Sequence, residues 1–105
     1  MKNGIVIANA SGFWGDEIDA IERQVNGGHI DYLTMDYLAE ITMIILARQK
    51  AKDPKAGYAR DFVTSIARVL HPIAEKGINV IANAGGMNPV ACAEALEAMI
   101  KEEGL

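Results

Sequence analysis

The sequence predicts an α/β fold: a Rossmann-like, three-layer open parallel sheet with the element order β-α-β-α-α-β-α. Three observations carry that expectation. Three short runs, 4-GIVIA-8, 29-HIDYLTM-35 and 79-NVIA-82, have strand character. Each is followed by a stretch whose apolar residues recur at helical spacing. The first and third runs also leave through near-identical turns, IANAS-G and IANAG-G. Strands separated by helices pair in parallel through right-handed crossovers. The expected spatial order is 2-1-3, with the first strand central and the other two as edges that need cover.

The elements follow in chain order. Residues 4–8 are nearly all apolar and β-branched, which suits a strand covered on both faces, and 9-NASGFWG-15 reads as loop. From Asp16 to Val25, Ile18, Ile21 and Val25 keep helical spacing, and Asn26-Gly27-Gly28 stops that helix. His29 to Met35 reads as the second strand, with Asp36 as N-cap of the next helix. That helix, about residues 37–47, is apolar nearly all round, so it is buried on several sides or awaits a partner. The run 48-RQKAKDPKAG-57 reads as an exposed connection. Tyr58 to Lys76 is helical, with a kink or break expected near residues 68–71 because of Pro72. Asn79 to Ala82 is the third strand, and Asn88-Pro89 opens the last helix as cap and first residue.

The chain of 105 residues, half of them hydrophobic, supports one small domain with a core or the N-terminal part of a larger one. A net charge of −4 and a pI near 5.0 argue against a general nucleic-acid binder and against an anionic membrane surface. Cys92 is the only cysteine, so neither an intrachain disulfide nor a Cys-based zinc site is available, which fits a reducing compartment. The N-terminus lacks an apolar leader, and 41-ITMIILA-47 is too short to span a bilayer. The expectation is a soluble, cytoplasmic protein with no metal ligands assigned and the cofactor left open.

In open α/β sheets ligands sit beyond the carboxyl ends of the strands, near a topological switch point. With strand 1 central, the loops 9–16, 34–40 and 83–89 converge there, each backed by a helix N-terminus whose free amides suit an anion. The candidate substrate-binding residues are Asn9, Ser11, Gly12, Trp14, Asp16, Asn83, Gly85, Gly86 and Asn88. Most have a plainer alternative. The asparagines equally satisfy local backbone, the glycines equally serve turn geometry, and Trp14 either packs in the core or covers a ligand. Asp36 and Glu40 are acid/base candidates, and Arg60 a carboxylate clamp. Asp36 is also a plain N-cap, and Glu40 also an ion-pair partner for Arg60 or Lys50, because a carboxylate on so apolar a helix needs a partner. His29 and His71 have no ligand spacing and are expected at the surface. Cys92 is expected to pack, with a reactive thiolate near the helix start as the rival. Neither Gly-rich stretch is a dinucleotide or P-loop motif.

The strings 11-SGFWGD-16, 31-DYLTMDYLAEITM-43, 46-LARQKAKDPKAGYARDF-62 and 83-NAGGMNPVACAEAL-96 resemble the N-terminal segment of the acyclic terpene utilisation protein A family, in order and at natural spacing. Matching positions include Ser11, Gly12, Phe13, Trp14, Gly15, Asp16, Asp36, Tyr37, Glu40, Tyr58, Arg60, Asp61, Asn83, Gly85, Gly86 and Asn88. The resemblance implies a role in breaking down acyclic terpenoids and related branched acids, beside acyl-CoA carboxylases and other acyl-CoA enzymes. It assigns no catalytic residue. Family members are several hundred residues long, so the chain is expected to be a fragment, a subunit of a split enzyme or a truncated product. Two functions follow as expectations: part of a catabolic enzyme holding a small-molecule carboxylate or acyl-CoA, or a non-catalytic module scaffolding a carboxylase-type partner. Self-association or a missing C-terminal part would cover the sheet edges.

Overall fold

The computed structural model describes residues 4–17 and 19–105. Its elements are β1 (Ile7–Ser11), α1 (Ala20–Asn26), β2 (Tyr32–Met35), α2 (Glu40–Lys52), α3 (Arg60–Lys76), β3 (Asn79–Ala82) and α4 (Pro89–Glu102). The order and type of every element match the sequence reading, while several boundaries differ. β1 lies three residues further on than its most strand-like stretch. Pairing decides this: Ile7, Ala8 and Asn9 register with Tyr32, Leu33 and Thr34, and Ala10 packs into the core at 5% exposure. Asn9 and Ser11 are therefore strand residues and not loop. α1 begins at Ala20 and not at Asp16, because the Asp16 carboxylate instead accepts from the Gly12 and Glu17 amides and holds a turn. Ile18, one of the three spacing residues, lies outside the described residues.

α2 starts later and ends later than expected. Its N-cap is Ala39, and it absorbs 48-RQKAK-52 before Asp53-Pro54 ends it. Arg, Gln, Lys and Ala are good helix formers, so the polar run continues the helix. α3 runs through Pro72 without a break. Proline removes the donor to the Arg68 carbonyl, and Arg68 is exposed, where water can take that bond. Gly77 closes α3 in the left-handed region at φ 65°, a conformation that costs glycine little. α4 opens as read: Asn88 accepts from the Ala91 amide and Pro89 is the first residue.

The three strands are parallel, and their spatial order is β1-β2-β3. This corrects the expected 2-1-3: β2 is central and β1 is an edge. The burial explains it. β2 supplies Leu33 and Met35, at 0% and 4% exposure, whereas β1 offers the small Ala8 and Ala10 to the core. Two successive crossovers in one direction put their helices on one face when both take the usual right hand. α1 and α3 do pack together, and α4 packs on α3.

Burial along the strands confirms a one-sided sheet. Ala10, Leu33 and Met35 are buried and Ala8, Val80 and Ala82 partly so, all joined to one core with Val25, Phe62, Ile66 and Val69. Ile7 and Ile81, on the alternate positions, stay 61% and 57% exposed. The third layer expected from the sequence is absent among the described residues. α2 stands outside both layers, against the loop after β3, with Leu46 fully buried and Ile41, Ile44 and Ile45 exposed.

Candidate functional site

Parallel pairing brings the carboxyl ends of all three strands to one edge, and short hydrogen bonds tie the loops there. The Asp36 amide donates to the Ser11 carbonyl at 3.1 Å and the Ser11 hydroxyl to the Asp36 carbonyl at 3.3 Å. Asn83 bridges onward: its Oδ1 accepts from the Tyr37 amide at 2.7 Å, and its Nδ2 donates to Asp36 Oδ1 at 2.8 Å. The Ala59 amide, at the start of α3, donates to the Ala84 carbonyl at 2.8 Å. With β2 central and both crossovers on one side, these strands contain no switch point, so the crevice expected beside β1 does not form. The loops converge because their strands end together.

On the open face of this edge lies a shallow depression of about 310 Å³, lined by Asn9, Thr34, Met35, Asp36, Ile81, Ala82 and Asn83. Asn9 Oδ1 accepts from Thr34 Oγ1 at 3.1 Å. The Asp36 carboxyl is held below the ordinary aspartate range, first by the Asn83 amide group and then by the Leu38 backbone amide. Asp36 thus closes a local turn and remains ionised at neutral pH.

A family model described as acyclic terpene utilisation family protein AtuA matches residues 5–105. The chain belongs to this family. No curated protein and no solved structure matches it. The description ties the AtuA chain to acyclic terpene utilisation and names no residue's role.

The remaining candidate residues of the AtuA chain divide by what holds them. Gly12 and Asp16 bond each other, and the same Asp16 carboxylate takes the Glu17 amide, which lowers its pKa through those two amides. Three of the loop amides expected to cradle an anion are thus already taken within the chain, Gly12 by Asp16, Leu38 by Asp36 and Tyr37 by Asn83. Trp14 is half-buried against the core, and its indole Nε1 donates to Asp61 Oδ1 at 2.8 Å. Ser11, Asp16, Tyr37 and Asp61 line a crevice of about 10 Å³, room for one water-sized guest and no more. Asn88 is 8% exposed and donates to the Pro54 and Ala56 carbonyls at 2.8 and 2.9 Å, so it locks the α2–α3 connection to α4. Gly86, at φ 52°, lies against the Leu46 side chain and the Gly57 carbonyl, and Gly85 against Pro89. These contacts are packing.

Glu40 is the first residue of α2 and is exposed. The anticipated ion pair does not form: Arg60 pairs with Asp53 at 3.6 Å and Lys50 donates to the Met87 carbonyl at 3.1 Å. The late start of α2 puts Glu40 in solvent, which removes the need for a partner. Arg60 lines a separate depression of about 290 Å³ with Gln49, Lys52, Asp53 and Ala56, 6.0 Å from the Tyr58 ring. Burial pushes the Cys92 thiol up, against a reactive thiolate. His29 and His71 are exposed, beside Asp31 and Glu103. Among the described residues no group of three or more His, Cys, Asp or Glu is placed to hold a metal ion, and no helix is long and apolar enough to cross a membrane. Thr34 went unnoticed in the sequence. It is the register partner of Asn9, a signal that requires knowing that β1 and β2 are neighbours.

Proposed function

We propose that this chain is the N-terminal portion of a catabolic enzyme that degrades acyclic terpenoids or the related branched acyl-CoA and carboxylate compounds, and that its substrate docks over the strand-end depression. The supporting observation is the depression itself, where Asn9 and Asp36 stand among apolar Met35, Ile81 and Ala82 at the edge to which all three strands deliver their loops. In this reading Asp36 is the acid/base candidate. The anionic end of the substrate turns to Arg60 and Lys52, the two cations lining the separate depression. Glu40, exposed and away from both linings, takes no part.

The test is the thermal midpoint of the full-length protein with a panel of acyl-CoA esters and branched dicarboxylates. A rise that is lost in Asn9→Ala and in Arg60→Ala is expected. Both side chains are exposed, so both variants should fold. No rise with any member of the panel would sink the docking reading.

A second reading has its own observation. A parallel sheet with one bare face, together with the exposed Ile41, Ile44 and Ile45 of α2, is the surface of a module that binds another protein. That partner would be of the acyl-CoA carboxylase type. Co-purification of such a partner, lost in Ile44→Lys, with turnover insensitive to Asp36→Asn, would favour it over the enzyme reading.

A further inference from the structure

Resting on the reading of this chain as an N-terminal portion, we infer that the outer edge of β3 and the groove beside it seat a fourth parallel strand, formed by the segment of the full-length protein that follows α4. Backbone direction shows which groups stand open. The Asn79 amide donates to the Asp31 carbonyl at 2.9 Å, toward β2. Direction alternates along a strand, so Ile81 also faces β2, and Val80 and Ala82 turn their N–H and C=O groups outward. Nothing among the described residues bonds to those outward groups. The opposite edge differs: the Asn9 carbonyl of β1 accepts from Gln24 Nε2 at 3.2 Å. A bare edge of this kind is a template for another strand.

The side chains beside that edge set what the strand carries. Val80 and Ala82 line a groove of about 240 Å³ with Phe62 of α3 and with Cys92, Ala93 and Leu96 of α4. None of these is charged. A strand paired to β3 turns every second side chain into the groove, so those positions are apolar. Topology supplies the occupant. α1 and α3 lie in the crossovers between neighbouring parallel strands, and α4 packs on α3 and so continues their layer. Glu103, the C-cap of α4, lies 3.4 Å from His71 in the later turns of α3. α3 runs back to the start of β3, so α4 likewise brings the chain to the amino ends of the strands. A parallel strand on the β3 edge begins there, and a crossover through α4 of the same hand as the two before it lands on that edge. A second copy related by a two-fold axis would pair β3 with itself, antiparallel, and would leave the α4 crossover without its strand.

The experiment is residue-resolved amide exchange on the isotope-labelled full-length protein, at two protein concentrations. The Val80 and Ala82 amides should exchange at least about a hundredfold more slowly than unpaired amides, equally at both concentrations. Cross-strand proton contacts from these two residues should reach the segment beyond Leu105 of the same molecule, in parallel order. Exchange at the unpaired rate would overturn the inference. So would contacts that appear only between labelled and unlabelled molecules in a mixed sample, which would give the edge to a second copy. Slow exchange with the expected contacts, but no response to the acyl-CoA panel, would uphold the strand and sink the docking reading alone, so the two fail separately.

Discussion

The two faces of the sheet are built from the same three strands and have opposite fates. On one, Leu33 and Met35 are sealed under α1, α3 and α4, with Val80 and Ala82 partly covered. On the other, Ile7 and Ile81 stand in solvent with Asn9 and Thr34 between them. Alternation along a strand sets which residue goes where. Parallel sheets otherwise occur with both faces covered. α2 repeats the contrast within one helix, with Leu46 at 0% exposure and Ile41 at 69%. The difference teaches that apolar character in this chain exceeds what its own packing uses, on the open sheet face and on α2 alike.

The largest expected effect breaks the covered face. Leu33→Ala removes a fully buried side chain and should cost about 2–5 kcal/mol in urea unfolding, whereas Ile81→Ala should stay within about 0.5 kcal/mol. An equal cost for both would mean that the bare face is covered in solution. Next comes Gly86→Ala. Its φ of 52° and the Leu46 side chain against it leave no room for a Cβ, so a loss of about 1–3 kcal/mol is expected. Ile45→Ala on the exposed side of the same helix should be near neutral.

Two smaller effects depend on pH. Tyr37 is 5% exposed, and its phenol is pushed up to about 12, first by burial and second by Asp61. The folded state therefore favours the protonated form. That stability is complete below the unfolded value of about 10 and is lost as pH rises from there through the folded value. Tyr37→Phe should flatten the alkaline limb of the melting curve. Asp36 behaves oppositely: its lowered pKa adds stability above the unfolded value of about 3.9, lost as pH falls through the folded one. Asp36→Asn should make the acid limb slightly shallower. A steeper acid limb in the variant would contradict the Asn83–Asp36 bond.

Local chemistry made the elements legible, because it is written in short windows. Asn88-Pro89 announces α4, Gly77 ends α3, and Ile21 and Val25 mark the buried side of α1. The strand order was not legible. Both 2-1-3 and 1-2-3 satisfy the same run of strands and helices, and only the packing of Leu33 and Met35 selects the central strand. Misplacing β1 by three residues had the same root: Ile5 and Val6 have higher strand propensity than Asn9, but register with β2 sets the pairing. For the candidate site, Asn9, Asp36 and Asn83 were singled out from their position at strand ends, and the structure brings them to the lining of one depression. Glu40 was misjudged because its burial was inferred from a helix start that lay three residues too early.

The indole of Trp14 clasps Asp61 across 47 residues of chain, and Trp14 is the only tryptophan in the sequence. Its emission therefore reports on a single event, the attachment of the β1–α1 turn to the first turn of α3. A red shift on adding a ligand would signal that this clasp has opened, and an unchanged spectrum that the ligand settles without disturbing it. Within this chain the indole is thus an optical gauge of the loop that follows β1, with no label needed.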